Sequence, residues 1–322
     1  MTTLLNVVVD GIWRQGRHNL AINLVAENGQ ALPEWQPGAH IDLHLPDNRV
    51  RQYSLTGRGN TSHQYQICVA HDKQSRGGSR WIHEVLRPGH TLNISAPRNL
   101  FQLKRADKVV LLAAGIGITP LYAMAEALEA SGVPFVLHYY IKHHDDAAFL
   151  QPLSRVLQHG ICKIWSSSEG QSPRTHIADE LKSPSEQNHL YLCGPEGFMS
   201  QMTETACRAG WLAENIHTEA FKPPAVAEGL SDNNSFTVTL ASTGQQWIVP
   251  AEKSIAHVLK ENGVDVPLSC EMGMCGACLT GVKQGMVDHR DTVQSDREKN
   301  AEQQQIALCC SRSLSANLVI DL

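Results

Sequence analysis

The sequence contains no apolar run near the ~20 residues that a membrane-spanning helix requires. Its longest such stretch, Val109–Ala114, is far shorter. Nor is there a surplus of positive charge: 27 Lys and Arg against 32 Asp and Glu give a net charge of −5. Nucleic-acid and membrane partners usually call for a basic patch, so neither is expected. Met1–Asp10 has no basic leader followed by an apolar core, so no signal peptide is expected and a cytoplasmic location follows. Internal repeats and low-complexity tracts are also missing.

Cysteine is not scarce. There are nine, an odd number, which in a chain without a signal argues against a disulfide framework. Cys68, Cys162, Cys193 and Cys207 are scattered, whereas Cys270, Cys275, Cys278, Cys309 and Cys310 crowd the C-terminal part. Cys270-x4-Cys275-x2-Cys278 with a distant fourth cysteine is plant-type [2Fe–2S] spacing. Four thiolates must converge on two irons, and three come from one tight loop. Gly273 and Gly276 lie between them, allowing positive φ and close approach of N–H donors. Structural zinc sites pair two Cys-x2-4-Cys knuckles, and the second is missing here. The fourth ligand is Cys309 or Cys310. A strand would point these two to opposite faces, so only one can serve.

At 322 residues, two or three domains are expected. Through about residue 104 the chain shows short apolar runs, Leu4–Val9, Leu20–Val25, His40–Leu45 and Tyr65–Val69, separated by Gly, Pro, Asn and Asp. That pattern suggests a barrel or a sandwich. From 105 to 222 the pattern alternates. Val109–Ala114, Phe135–Ile141 and Leu190–Cys193 read as buried parallel strands with helices between them. Residues 223–234 read as a linker. Residues 235–322 are strand-rich again, with strands at Phe236–Leu240, Trp247–Val249, Lys283–Val287 and Leu318–Leu322, and a helix at Ser254–Asn262.

Three further motifs carry chemistry. Arg76-Gly77-Gly78-Ser79 precedes a helix expected at Arg80–Val85, where backbone N–H groups, a hydroxyl and a guanidinium can meet a phosphate. Gly115-Ile116-Gly117-Ile118-Thr119-Pro120 follows a buried strand and opens a helix, a context for pyrophosphate binding. It is not the Rossmann fingerprint, since Pro120 holds the third glycine position. Cys193-Gly194-Pro195 ends another buried strand.

With Arg51-Gln52-Tyr53-Ser54 upstream, these motifs resemble, in order and over nearly the whole chain, the phthalate dioxygenase reductase family. That family is a branch of the ferredoxin–NADP reductase-like flavoproteins, and the likeness is greatest to its vanillate O-demethylase reductase subunits. The resemblance implies an antiparallel β-barrel binding FMN in 1–104, an α/β domain with a parallel sheet binding NAD in 105–222, and an α+β (β-grasp) ferredoxin domain in 235–322. It implies flavin contacts from Arg51, Tyr53, Ser54, Ala70, His71, Arg76, Gly77, Gly78 and Ser79. Gly115, Gly117, Thr119, Pro120, Cys193, Gly194 and Pro195 are implied for the nicotinamide nucleotide. Ala114 stands where the family has a first glycine. In Glu219-Ala220-Phe221, Phe221 is implied to cover the flavin. Cys309, followed by Cys310-Ser311-Arg312, is implied as the fourth cluster ligand. Val287-Asp288-His289-Arg290-Asp291 resembles a tail motif of the family. With four cysteines closing the site, His289 reads as structural.

The implied activity runs from NADH, a two-electron donor, through FMN to the [2Fe–2S] cluster, which carries single electrons to the Rieske centre of a terminal oxygenase. Hydride transfer itself needs no acid or base, so no catalytic residue is assigned. The oxygenase would hold the substrate, such as vanillate, phthalate or carnitine. NADH rather than NADPH is a family inference; Lys142, in the Tyr140–His144 segment where a 2′-phosphate would be read, is compatible with either. A flavin or nitric-oxide-type reductase and a ferredoxin-like carrier without an oxygenase are the alternatives.

Overall fold

Short apolar stretches broken by glycine and asparagine must turn often, and the first hundred residues do so. The computed structural model describes residues 4–46, 49–57, 63–72, 77–221 and 234–322. The chain packs as two units, residues 1–221 and 222–322. The first unit begins with strands β1 (Leu5–Gln15), β2 (Asn19–Ala26), β3 (Ala39–His44), β4 (Val50–Ser54) and β5 (Tyr65–Ala70). Helix α1 (Gly78–Glu84) and strands β6 (Thr91–Ile94) and β7 (Arg98–Asn99) follow. The strands run β4-β3-β6-β1-β2-β5, with β7 beside β3. A bridge between Leu55 and Ile67 and a 2.8 Å bond from the Thr56 N–H to the Gln66 carbonyl join the two ends. The sheet is thus an antiparallel barrel, filled by Ile22, Leu24, Ile41, Leu43 and Ile67.

Next come β8 (Lys108–Ala114), α2 (Ile118–Ser131), β9 (Phe135–Ile141), α3 (Leu150–Leu153) and β10 (Gly160–Ser166). They lead into β11 (Asn188–Cys193), α4 (Glu196–Ala209) and β12 (Ile216–Glu219). All five strands are parallel, in the order β10-β9-β8-β11-β12. Helices cover both faces, so β8 and β9 read as continuous apolar runs. The order reverses between β8 and β11, and the crevice at their C-terminal ends is where such sheets bind ligands.

The barrel and the parallel sheet share their cores. Ala123 of α2 packs in the barrel core and Cys68 of β5 in the sheet core. The β1–β2 turn also grips the loop after β9, with Arg17 2.7 Å from Asp145 and the Gln15 side chain accepting the Phe149 N–H at 3.0 Å.

The second unit holds β13 (Phe236–Leu240), β14 (Gln246–Val249), α5 (Ile255–Glu261), β15 (Leu279–Gln284) and β16 (Val287–Asp288). It ends with α6 (Asp296–Lys299), β17 (Gln305–Ala307), β18 (Arg312–Ser313) and β19 (Asn317–Ile320). The mixed sheet β14-β13-β19-β15-β17 wraps α5 in a β-grasp arrangement, with β16 and β18 paired alongside. The side chain of Ser254 caps α5, accepting the His257 N–H at 3.2 Å. The single strand expected over Lys283–Val287 is in fact two. Gly285 sits at φ 109, and a Cβ there would lie 2.8 Å from the Asn317 carbonyl, so the chain turns between β15 and β16. Among the described residues no helix is long and apolar enough to cross a membrane. Most of the expected linker 223–234 lies outside the described residues.

Candidate functional site

The cysteine loop precedes β15. Cys270, Cys275 and Cys278 are buried, and Cys309 lies in the turn after β17. The four thiols form two neighbouring pairs: Cys270 hydrogen-bonds Cys275, and Cys278 hydrogen-bonds Cys309, which also meets Cys310. Among the described residues no three His, Cys, Asp or Glu side chains are arranged around one ion. Two pairs suit two irons, each taking two thiolates. The Met272 and Met274 N–H groups point at the Cys270 sulfur at 3.3 and 3.4 Å, and the Ala277 N–H at the Cys275 sulfur at 3.5 Å. The Cys270 side-chain hydrogen bond, with the Cys270 and Ala277 N–H groups, outweighs burial and pulls the Cys275 thiol down to about 5. Gly273 (φ 75) and Gly276 (φ 69) make the loop's tight bends. The residues fit a dinuclear cluster.

Cys309 and Cys310 sit on a turn rather than on the expected strand, so alternation is not what separates them. Cys309 faces Cys278. The Cys310 sulfur hydrogen-bonds Cys309 as well, contacts the Ala307 carbonyl and the Ser311 hydroxyl, and lies under Gly273, where a Cβ would be 2.5 Å from it.

In the first unit, β4 puts Arg51 and Tyr53 on one face and Ser54 on the other. Arg51 packs against the start of α1: a Cβ on Gly78 would lie 2.6 Å from its Nε. Gly77, at φ 92, lies closer still to the Arg49 guanidinium, which a Cβ there would overlap. Two guanidinium groups thus converge on a glycine turn shaped for a phosphate, and Arg49 was not anticipated from sequence. Its signal was a second Arg two residues before Arg51. Ser79 accepts the Asp72 N–H at 3.3 Å. Arg76 lies outside the described residues. Ala70 ends β5, and His71 packs edge-on against His83, 5.0 Å between ring centres.

Gly117 follows β8 so closely on the end of β11 that a Cβ would overlap the Cys193 carbonyl. A Cβ on Gly194 would lie 2.8 Å from that of Ala114. The two glycine motifs therefore meet at the sheet's reversal point. Thr119 and Pro120 are buried in the first turn of α2, the Thr119 hydroxyl donating to the Ile116 carbonyl at 3.0 Å. Pro195 caps α4.

Glu219 ends β12 beside Cys193 in register. Its carboxyl is buried and hydrogen-bonds Ser54, while its Oε2 has no partner. Burial raises this carboxyl to about 8, and the Ser54 bond offsets only part of that. Burial, then the Glu219 charge, pushes the Cys193 thiol well up. Ser54, Cys193 and Glu219 thus join barrel and sheet, with the buried Oε2 of Glu219 left without a hydrogen-bond partner. Sequence reading named Phe221, about a third exposed, but passed over Glu219 two residues earlier. These residues fit a bound flavin.

The 2Fe-2S iron-sulfur cluster binding domain matches residues 238–314. The vanillate O-demethylase oxidoreductase of Acinetobacter baylyi is 40% identical over 320 residues, 99% of each chain. The tert-butanol monooxygenase / tert-amyl alcohol desaturase reductase subunit of Aquincola tertiaricarbonis is 40% identical over 99% of this chain and 96% of its own. The solved phthalate dioxygenase reductase, described as a modular structure for electron transfer from pyridine nucleotides to [2Fe–2S], superposes with a TM-score of 0.73 at 33% identity, covering 99% of this chain and 98% of its own. The chain belongs to the phthalate dioxygenase reductase family of iron–sulfur flavoprotein oxidoreductases.

Proposed function

We propose that this chain draws electrons from NADH and delivers them, through FMN and a [2Fe–2S] cluster, to a terminal oxygenase of the Rieske type in the cytoplasm. The observation that carries this is the junction of Ser54, Glu219 and Cys193 beside the paired glycine motifs, in a chain that also has a two-and-two cysteine quartet. Bound flavin supplies the conversion between a two-electron donor and a one-electron acceptor.

The chain's own residues do the rest. Arg51 and Arg49, with Gly77, Gly78 and Ser79, would hold the flavin phosphate. Tyr53 would pack on the ring, and Ser54 would orient its edge. Glu219 holds a proton at its carboxyl up to about pH 8 next to that edge. Gly115, Gly117, Gly194 and Pro195 let the pyrophosphate lie against backbone N–H groups at the starts of α2 and α4. Cys193 and Thr119 would place the nicotinamide, and Phe221 would shield the flavin ring. Cys270, Cys275, Cys278 and Cys309 hold the irons.

Reconstitution tests the reading. NADH-dependent product formation is expected when the chain is mixed with one of a panel of purified Rieske oxygenases, those acting on vanillate, phthalate and carnitine included. NADH oxidation with artificial acceptors but with no oxygenase in the panel would favour a general flavin reductase.

A further inference from the structure

One buried carboxylate next to the cysteine loop has no part in ligating iron. Asp291 is 3% exposed. Its Oδ2 accepts the Gln294 backbone N–H at 3.1 Å, and its Oδ1 accepts the Gln294 amide at 3.2 Å and the Ser311 hydroxyl at 3.3 Å. Ser311, fully buried, accepts the Arg290 N–H at 3.0 Å through the same hydroxyl. The segment is pinned equally firmly to the three-cysteine loop. The Thr292 and Val293 N–H groups both donate to the Gly273 carbonyl, at 3.0 and 3.3 Å. A Cβ on Gly273 would stand 3.0 Å from the Asp291 Cα. Asp291 therefore bridges the loop bearing Cys270, Cys275 and Cys278 to the turn bearing Cys309.

The charge on this bridge is compensated mainly by hydrogen bonds. Among the described residues the one ionisable ring or cation within 4 Å of its carboxylate is the His289 ring, 3.5 Å away. The nearest ammonium, that of Lys299, bonds the Asp291 backbone carbonyl at 2.7 Å rather than the carboxylate. A negative charge held in a low-dielectric interior disfavours the arrival of an electron beside it.

We propose that Asp291 is a positioning residue that sets the reduction potential of the [2Fe–2S] cluster, joining the two ligand segments and holding the cluster's potential down with its buried charge. The proposal rests on the reading that the cysteine quartet carries that cluster. Two variants of the full chain separate it from a purely structural role. Asp291→Asn keeps the shape and one acceptor but removes the charge, so the reduction equilibrium shifts at least tenfold toward the reduced cluster, about 59 mV upward for one electron. Ser311→Ala removes a donor and leaves the charge less compensated, so the shift goes the other way. Loosened packing alone would move both variants in one direction. The readout is an EPR-monitored redox titration, with iron and sulfide content measured on each sample. Shifts of opposite sign support the proposal. Shifts of the same sign, or less than twofold in both, overturn it. If Asp291→Asn loses its iron, Ser311→Ala decides alone: a lowered potential supports the proposal and an unchanged or raised one overturns it. A parent chain with no cluster signal would instead overturn the reading of the quartet.

Discussion

The two units build their sites in opposite ways. In the second, three of the four cysteines come from nine consecutive residues, and backbone N–H groups of the same loop point at their sulfurs. In the first, the junction draws on β4, the turn before α1, the ends of β8 and β11, and β12, separated by up to about 170 residues of sequence. Charge also differs. Residues 222–322 carry 12 acidic and 8 basic side chains, against 20 and 19 in residues 1–221. A local site depends on a few ligands and is lost all at once. A distributed site depends on close approach between distant backbones and weakens by degrees.

That contrast can be broken most sharply at the fourth cysteine. Cys309→Ser is expected to abolish the full cluster, seen as loss of iron and of the broad visible absorbance, whereas Cys310→Ser keeps it. The reverse result would assign the ligand to Cys310. A smaller but still large effect is expected at Gly117. In Gly117→Ala the new Cβ meets the Cys193 backbone, which has no flexible end to yield. NADH-driven flavin reduction should fall by about a hundredfold, consistent with ångström-scale misplacement of reacting groups, while iron content stays unchanged in the other unit. Arg51→Ala should weaken flavin retention by about tenfold, the order of one lost charge-assisted contact. Equilibrium dialysis of the flavin checks this, and unaltered retention would remove Arg51 from the phosphate site.

The smallest effect concerns Glu219. Its folded-state value is raised to about 8 from the ordinary 4.5, so its contribution to stability is complete below pH 4.5 and is lost as pH rises through 8. Glu219→Gln has no such proton to lose. The variant should therefore melt at the same temperature as the parent near pH 4.5 and above it by a few degrees at pH 8 to 9. A constant difference across that range would show that the carboxyl is not held neutral.

Legibility in the sequence followed the same division. The cysteine spacing is a local code, and it named Cys270, Cys275 and Cys278 without any structure. Buried strands such as β8 and β9 showed themselves as apolar runs. The edge strands β10 and β12 did not, because Gly160–Ser166 and Ile216–Glu219 are only half buried and mix polar with apolar residues. Glu219 was hidden for a related reason. A single glutamate carries no periodic signal, and only the fold brings it to Ser54 across the barrel–sheet junction. Cys309 was preferred over Cys310 on resemblance. The turn after β17 brings Cys309 to Cys278, while Cys310 meets Ala307, Ser311 and Cys309 itself, so the choice between the two rests on the resemblance and on the Cys309→Ser and Cys310→Ser variants.

The central claim, that both sites work in series within one chain, is tested most directly by anaerobic titration of the holoprotein with NADH while flavin and iron–sulfur absorbance are followed together. The account predicts that NADH bleaches both, to a total of about three electrons per chain, two held by flavin and one by the cluster. Iron–sulfur absorbance that bleaches with dithionite but not with NADH would contradict it.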